Sequence, residues 1–337
     1  MKAIILRGVG EPFELSEVEK PIPQSSEALI QLRAAALNHR DLWIHKGQYA
    51  GLKFPMIPGS DGAGIVESVG NSENIHWIGK EVIMNPGLNW GNNHSFQSKQ
   101  FTILGMPENG TFAEYVTIPV ENLYEKPAHL TFEQAAALPL AGVTAWRTLM
   151  TRAQVQSGEK CLVTGAGGGV AQFAIQFAIQ SGAKVWVTSG SNKKIEKAIS
   201  LGAEDGVNYR ETDWFKQLKA SAGNFQVIID SAGGDSFGNL VKLADSGARI
   251  VFYGGTQGKF PPRSPQLIFW KQFSLLGSTM GSPKDFSSMI EFINASKLIP
   301  VVDQIFELSD IYLAVNKMEK AAQFGKIVIK VTENSFL

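Results

Sequence analysis

The residues whose chemistry is plainest are glycines. Gly165-Ala166-Gly167-Gly168-Gly169-Val170-Ala171 follows the short apolar run Cys161–Thr164 and leads into a segment of helical period. Glycines let the backbone turn sharply and come close to a pyrophosphate. The start of a helix adds unpaired N–H groups and partial positive charge for that anion. A glycine cluster alone often only connects elements. Strand, turn, periodic helix and second strand in succession predict a dinucleotide site. Binders of NAD place an acidic residue about 20 residues beyond the turn, where it accepts from the ribose 2′-OH. At that distance from Gly169 stands Ser189, within Ser189-Gly190-Ser191-Asn192-Lys193-Lys194. That stretch has no carboxylate. Its two lysines stand at a helix start, where the dipole disfavours cations unless an anion compensates them. The expected cofactor is therefore NADPH, whose 2′-phosphate supplies the anion. The plainer reading leaves Lys193 and Lys194 as solvated decoration of the helix.

Positioning such a turn takes a regular frame, and the second half of the chain reads as one. Cys161–Thr164, Lys184–Thr188, Val207–Tyr209, Val227–Asp230, Arg249–Tyr253 and Ser274–Leu276 are short β-branched or apolar runs. Between the first two, Val170, Phe173, Ala174, Phe177 and Ala178 fall on one helical face, and Gly182 closes the segment. Ile195, Ala198 and Ile199 repeat the pattern before Gly202. Alternating strands and helices predict an α/β fold with a doubly wound parallel sheet over 123–264. Residues 1–122 read as a β-rich domain punctuated by Pro and Gly, with strands at Ala28–Ala35, Ile65–Val69 and Lys80–Met84 and a helical turn near Asn38–Lys46. Thr131 and Gln134 form a capping box ahead of an Ala-rich helix. The tail, 265–337, ends in the strand Lys326–Val331 and is expected to return and complete the first domain.

The bulk numbers bound the partners. A chain of 337 residues suggests two domains, and 44% hydrophobic with 18% charged residues is globular. Lys plus Arg and Asp plus Glu are both 31, so no broad basic face is expected for nucleic acid or a membrane surface. One cysteine, Cys161, excludes an intramolecular disulfide and a four-cysteine metal knuckle. Neither a signal segment nor a membrane span is expected, and the reading is cytoplasmic.

The chain resembles the medium-chain dehydrogenase/reductase superfamily, specifically its zinc-less quinone-oxidoreductase branch. The resemblance rests on stretches in a fixed order. Asn38-His39-Arg40-Asp41, Gly59-Ser60-Asp61-Gly62-Ala63-Gly64 and Gly110-Thr111-Phe112-Ala113-Glu114-Tyr115 come first. Gly142-Val143-Thr144-Ala145-Trp146 precedes the glycine turn, and Asp230-Ser231-Ala232-Gly233-Gly234 and Gly325-Lys326-Ile327-Val328 follow it. The family implies a GroES-like catalytic domain made from both chain ends, a Rossmann nucleotide domain, an active site in the cleft between them, and a homodimer or homotetramer. It also implies contacts. Gly168, Gly169, Val170 and Ala171 should meet the pyrophosphate. Ser189, Ser191, Lys194 and Tyr209 should surround the adenosine phosphate. Gly254, Gly255 and Met280 should lie near the nicotinamide, and Lys326 resembles a further cofactor contact.

Zinc-dependent members hold their metal with cysteine, histidine and glutamate at positions that here read Asn38, Ser60, Asp61 and Leu140. Three of the four are poor ligands, and Gly87–Gly105, where a structural zinc would sit, lacks cysteine. No metal is expected. Without a Lewis acid the fitting acceptor is a small conjugated carbonyl compound, a quinone or an enone, over which charge can spread. Three residues are the catalytic candidates. Asn38 either donates to the substrate oxygen or the nicotinamide ribose, or is a helix-cap residue. Tyr49 either donates a proton, as in similar enoyl-thioester reductases, or lines the pocket. Thr144 resembles a family threonine near the nicotinamide. Asp41 reads as structural. Trp43, Tyr49, Trp90, Phe269 and Trp270 are candidate walls of an aromatic acceptor pocket. A zinc alcohol dehydrogenase with unorthodox ligands, an enoyl-thioester reductase and a non-catalytic NADPH-binding sensor are the competing readings.

Overall fold

The computed structural model describes residues 1–262 and 264–331. The chain divides into two compact units, Met1–Ala141 with Ser282–Leu337, and Gly142–Gly281.

The first passage of the chain lays down β1 (Lys2–Ile5), β2 (Glu14–Glu17), β3 (Glu27–Ala36), α1 (His39–His45), β4 (Asp61–Val69) and β5 (Glu81–Met84). After these come β6 (Gly87–Leu88), β7 (Thr102–Ile103), β8 (Tyr115–Pro119), β9 (Leu123–Glu125), α2 (Phe132–Ala136) and α3 (Pro139–Trp146). A π-helical turn at Arg147–Ala153 then leads into β10 (Lys160–Val163), α4 (Gly169–Gln180), β11 (Lys184–Ser189), α5 (Asn192–Ser200), β12 (Asp205–Asn208) and α6 (Trp214–Ala222). The same alternation continues through β13 (Phe225–Asp230), α7 (Phe237–Leu243), β14 (Ala244–Phe252), α8 (Gln266–Lys271) and β15 (Ser274–Gly277). The return consists of α9 (Pro283–Ser296), β16 (Val302–Glu307), α10 (Ile311–Glu319) and β17 (Lys326–Lys330).

In the second unit six parallel strands run in the order β12-β11-β10-β13-β14-β15. The order reverses between β10 and β13, the switch point at which ligands of such sheets bind, at the carboxyl ends of the strands. The helical periodicity of the sequence is what makes this sheet two-faced. On α4, Phe173, Ala174, Phe177 and Ala178 are buried and share one stripe. A second apolar cluster gathers Leu162, Phe225, Ile228 and Ile250 with Leu240 and Leu243 of α7.

In the first unit β3 is the hub. It pairs antiparallel with β4, β8 and β17, and β17 pairs in parallel with β16. The return segment supplies half of one core. Ile311, Val315, Met318, Ile327 and Ile329 pack with Leu37, Leu42 and Phe112. Burying side chains of this size contributes roughly 1.5–3 kcal/mol each. Gly110 is required by packing, because a Cβ there collides with the carbonyl oxygen of Gly59. Backbone thus lies on backbone where 58–61 leads into β4.

The unit boundaries differ from the sequence-based positions of 122 and 264, for a physical reason. β9 pairs antiparallel with β5, so residues beyond 122 still belong to the first unit. β15 pairs in parallel with β14, so residues beyond 264 still belong to the parallel sheet. Strand pairing across distant sequence leaves no local mark. The Thr131 capping box opens α2 as expected, with Gln134 N–H donating to Thr131 Oγ1 at 3.2 Å.

Candidate functional site

The glycine turn sits at the end of β10, on one side of the switch point. Gly165 has φ +71°, a backbone conformation that costs an L residue roughly 1–2 kcal/mol. Gly168 N–H donates to the Gly165 carbonyl at 3.0 Å and closes the turn. The first bond of α4 runs from Gln172 N–H to the Gly168 carbonyl at 2.9 Å. The N–H groups of Gly169, Val170 and Ala171 therefore stand at the helix mouth without intrahelical acceptors. The cap residue is glycine, so no side chain covers them, and the first turn holds no acid. A Cβ built on Gly168 has only the Gly165 carbonyl oxygen nearby, at 3.6 Å, so the approach is open. Buried Gln172, which sequence reasoning missed, holds the turn from behind by donating its Nε2 to the Ala166 carbonyl. Across the switch point, Thr164 Oγ1 donates to Asp230 Oδ1 at 2.7 Å and Gly233 N–H to Asp230 Oδ2 at 2.8 Å.

At the end of β11, Ser189 is buried and its carbonyl accepts from Tyr209 N–H at 3.0 Å. Ser191 stands at the N-cap position of α5, with Lys193 and Lys194 in the first turn of that helix. A Cβ on Gly190 would lie 2.8 Å from Tyr209 Oη and 2.9 Å from Arg210 Nε. A phenol and a guanidinium thus stand against Gly190, the residue after Ser189, the position from which NAD binders present a carboxylate. Arg210 was missed in the sequence, although it directly follows Tyr209. Gly254 lies against the Ser231 carbonyl, 2.9 Å from a Cβ placed there, and Gly255 follows it. Met280 is buried with φ +45°, and Thr144 is buried on α3. Burial pushes the Tyr253 phenol above its ordinary value.

The first unit gathers a separate, buried polar cluster. Asn38 is the N-cap of α1 and forms a capping box with Asp41, and its carboxamide also reaches partners outside the helix. Asp41 Oδ2 caps the helix by accepting from Asn38 N–H at 2.8 Å. The Asn38 carboxamide donates from Nδ2 to Asp61 Oδ2 at 2.9 Å and accepts at Oδ1 from Lys326 Nζ at 2.7 Å. Lys326 Nζ also donates to the Leu37 carbonyl at 2.8 Å and to Asp61 Oδ2 at 2.9 Å. Asp61 Oδ1 accepts from the Leu140 N–H at 2.8 Å. Asp61 is 0% and Lys326 3% exposed. Removing one member of such a buried pair costs about 3–5 kcal/mol. Lys326, expected as a cofactor contact, instead directs all three ammonium protons to protein acceptors.

Arg40 lies beside this cluster. Its Nη1 donates to Ser60 Oγ at 2.5 Å and to the Leu104 carbonyl at 2.8 Å, and its Nε donates to Tyr49 Oη at 3.4 Å. Its guanidinium lies 5.0 Å from the Tyr49 ring centre. Asp41 is fully buried, and its Oδ1 has no hydrogen-bond partner. Burial pushes its carboxyl up to about 6 despite the opposing pull of Arg40, the Asn38 N–H and Lys326.

Of the five aromatic candidates, Trp43, Tyr49 and Trp90 belong to the first unit and Phe269 and Trp270 to the second. Trp90 is buried, packs edge-on against Phe101 and donates its Nε1 to the Asn93 carbonyl, so it is core. Phe269 and Trp270 are exposed on α8 in the other unit. Trp43 is half-buried, edge-on to His39. Among the described residues no group of three or more His, Cys, Asp or Glu is placed to hold a metal ion, and no helix is long and apolar enough to cross a membrane.

Residues 24–128 match the alcohol dehydrogenase GroES-like domain family, and residues 169–295 match the zinc-binding dehydrogenase family. A Leptosphaeria maculans protein named zinc-type alcohol dehydrogenase-like protein YogA is 34% identical, over 95% of this chain and 95% of its own. A mouse quinone oxidoreductase is 29% identical, over 98% of this chain and 94% of its own. The crystal structure of an NAD-dependent alcohol dehydrogenase superposes with a TM-score of 0.91 at 36% identity, covering 98% of this chain and 100% of that one. The chain belongs to the medium-chain dehydrogenase/reductase superfamily and is an oxidoreductase.

Proposed function

We propose that this oxidoreductase uses NADPH to reduce a small conjugated carbonyl compound, a quinone or an enone, without a metal. The observation that carries the reading is the Asn38–Asp61–Lys326 cluster. The positions that ligate zinc in similar enzymes converge here on a single carboxylate, whose oxygens already accept from an ammonium, a carboxamide and a backbone N–H. A catalytic zinc needs three protein ligands of Cys, His, Asp or Glu type. This donor set does not fit it.

The open mouth of α4 suits a pyrophosphate, held by the N–H groups of Gly169, Val170 and Ala171 beneath Gly168. Ser189, Ser191, Lys194, Tyr209 and Arg210 would hold a 2′-phosphate, the group for which the end of β11 is charged. Gly254, Gly255 and Met280 are assigned to the nicotinamide side. Bound NADPH supplies the hydride. The protein supplies hydrogen bonds and a proton. Asn38 has one Nδ2 proton left to donate to the substrate oxygen where negative charge develops. Tyr49 Oη accepts from Arg40 Nε, so its own proton is left to give to the reduced product. Thr144 is assigned to positioning near the reacting centre.

The similar NAD-dependent alcohol dehydrogenase favours a second reading, in which NADH and an alcohol replace NADPH and the conjugated acceptor. One experiment separates the two. NADPH and NADH oxidation are followed with 9,10-phenanthrenequinone and an α,β-unsaturated ketone, in wild type and in Lys194→Ala and Arg210→Ala, after dialysis against a chelator. The proposal expects NADPH turnover that survives chelation, and a loss of NADPH affinity of about tenfold or more in each variant with little change for NADH. Alcohol oxidation with NAD that is lost on chelation and restored by zinc would overturn it. Binding of NADPH without turnover would move the sensor and thioester readings ahead.

A further inference from the structure

Asn38 is a buried carboxamide held at both ends. Its Oδ1 accepts from Lys326 Nζ at 2.7 Å and its Nδ2 donates to Asp61 Oδ2 at 2.9 Å. A carboxamide has one carbonyl and two N–H groups, and either face can turn toward a ligand unless its surroundings decide. Here they decide. An ammonium accepts nothing and a carboxylate donates nothing, so the reversed orientation would set Nδ2 against Nζ and Oδ1 against Oδ2. Lys326 and Asp61 are also bonded to each other at 2.9 Å, and each is anchored to the backbone, at the Leu37 carbonyl and the Leu140 N–H. The second Nδ2 proton is the only side-chain N–H of this triad without a partner among the described residues.

We propose that Lys326 and Asp61 are positioning residues for Asn38, a built-in ion pair that fixes the carboxamide with one N–H presented as a hydrogen-bond donor. The inference rests on the proposed role of Asn38 at the substrate oxygen and deepens it. The ammonium fixes the polarity of the triad, and it does so through Asn38 rather than by touching substrate. A donor of this kind acts only while its orientation holds, because a small misplacement of a catalytic group costs on the order of a hundredfold in rate.

The test compares Lys326→Arg, the neutral pair variant Lys326→Met with Asp61→Asn, Asn38→Ala, and the triple combination, all in the full chain. The neutral pair leaves no lone buried charge, which protects folding. The expected result is a fall in kcat of on the order of a hundredfold in the neutral pair with KM changed by less than about threefold, and partial recovery in Lys326→Arg. The losses in Asn38→Ala and in the neutral pair should not add in the triple variant, as befits residues acting through one group. A merely structural pair gives either kcat losses that add in the triple variant or a lowered Tm with kcat per folded site intact, and either result overturns the proposal. A second readout needs no turnover. In ¹⁵N-labelled protein the Asn38 side-chain amide resonances, assigned by their loss in Asn38→Ala, should shift and exchange with water at least tenfold faster in the neutral pair. If they do so while wild type reduces no conjugated acceptor, the functional reading fails and the positioning stands. If they are unmoved, the positioning fails whatever the substrate.

Discussion

Replacing Asp41 with asparagine should stabilise the first unit at neutral pH relative to its effect in acid. Asp41 is fully buried, with one oxygen capping α1 and the other unpartnered. The charged groups that act on it are Arg40 and Lys326, which favour the carboxylate, and Asp61, which opposes it. Burial outweighs them and raises the carboxyl from 3.8 to about 6. The folded state therefore holds this proton more tightly than the unfolded chain. Stability from this group is complete below pH 3.8, is lost as pH rises from there to about 6, and is flat above. At 1.36 kcal/mol per pH unit the full penalty is about 3 kcal/mol. It amounts to about 1 kcal/mol at pH 4.5 and about 3 kcal/mol at pH 7.5. Asparagine keeps the acceptor for the Asn38 N–H and does not titrate. It also leaves a buried N–H₂ without a partner, a cost of roughly 1–3 kcal/mol that does not vary with pH. The informative quantity is therefore the change with pH of the difference in urea stability between Asp41→Asn and wild type. It should move in favour of the variant by about 2 kcal/mol between pH 4.5 and 7.5. A difference that stays constant, or moves the other way, would mean that Arg40 and Lys326 already hold Asp41 ionised, and the reasoning from burial would be wrong.

Two glycines of the turn should separate stability from binding. Gly165→Ala forces an L residue to φ +71° and should destabilise the protein by roughly 1–2 kcal/mol in denaturant titrations. Gly168 has φ −77° and ψ 151°, and a Cβ there would make only ordinary contact with the Gly165 carbonyl oxygen at 3.6 Å, so Gly168→Ala should leave Tm unchanged and weaken NADPH binding about tenfold or more by calorimetry; equal effects of the two variants on both readouts would contradict this division. Cys161 is buried, and burial pushes its thiol up to about 12. Native protein at pH 8 should therefore show no titratable thiol with a disulfide reagent and one thiol after unfolding, and rapid reaction in the native state would contradict the packing around β10.

What could be read from the sequence was local. The glycine turn, the stripe of α4, the capping box at Thr131 and the run of β10 each depend on neighbours within a few residues, and each lies where the spacing put it. Pairings between distant segments left no such mark. The sequence-based boundaries ended the first domain before β9 and the second before β15, because only the sheet reveals the partners of those strands. Trp90 reads alike in a loop whether it faces a ligand or Phe101. Arg210 reaches Gly190 only because β12 lies beside β11.

The Asn38–Lys326 contact joins residues 288 positions apart, and the Asp61–Lys326 contact joins residues 265 apart. Read singly, Asn38 is a hydrogen-bond donor or a helix cap, Asp61 the one possible ligand among the zinc positions, and Lys326 a cofactor contact. Their meaning is collective and electrostatic. A carboxylate at 0% exposure is untenable alone, and at Asp61 the neighbouring positions Asn38, Ser60 and Leu140 offer no second anion with which it could share a dication. A single ammonium of unit charge is the partner that balances it. An ammonium also brings three fixed donors, one more than the carboxylate and the Leu37 carbonyl absorb. The third must find an acceptor, and Asn38 Oδ1 is that acceptor. Neutralising Asp61 with lysine and orienting the carboxamide of Asn38 are thus one requirement, met by one side chain.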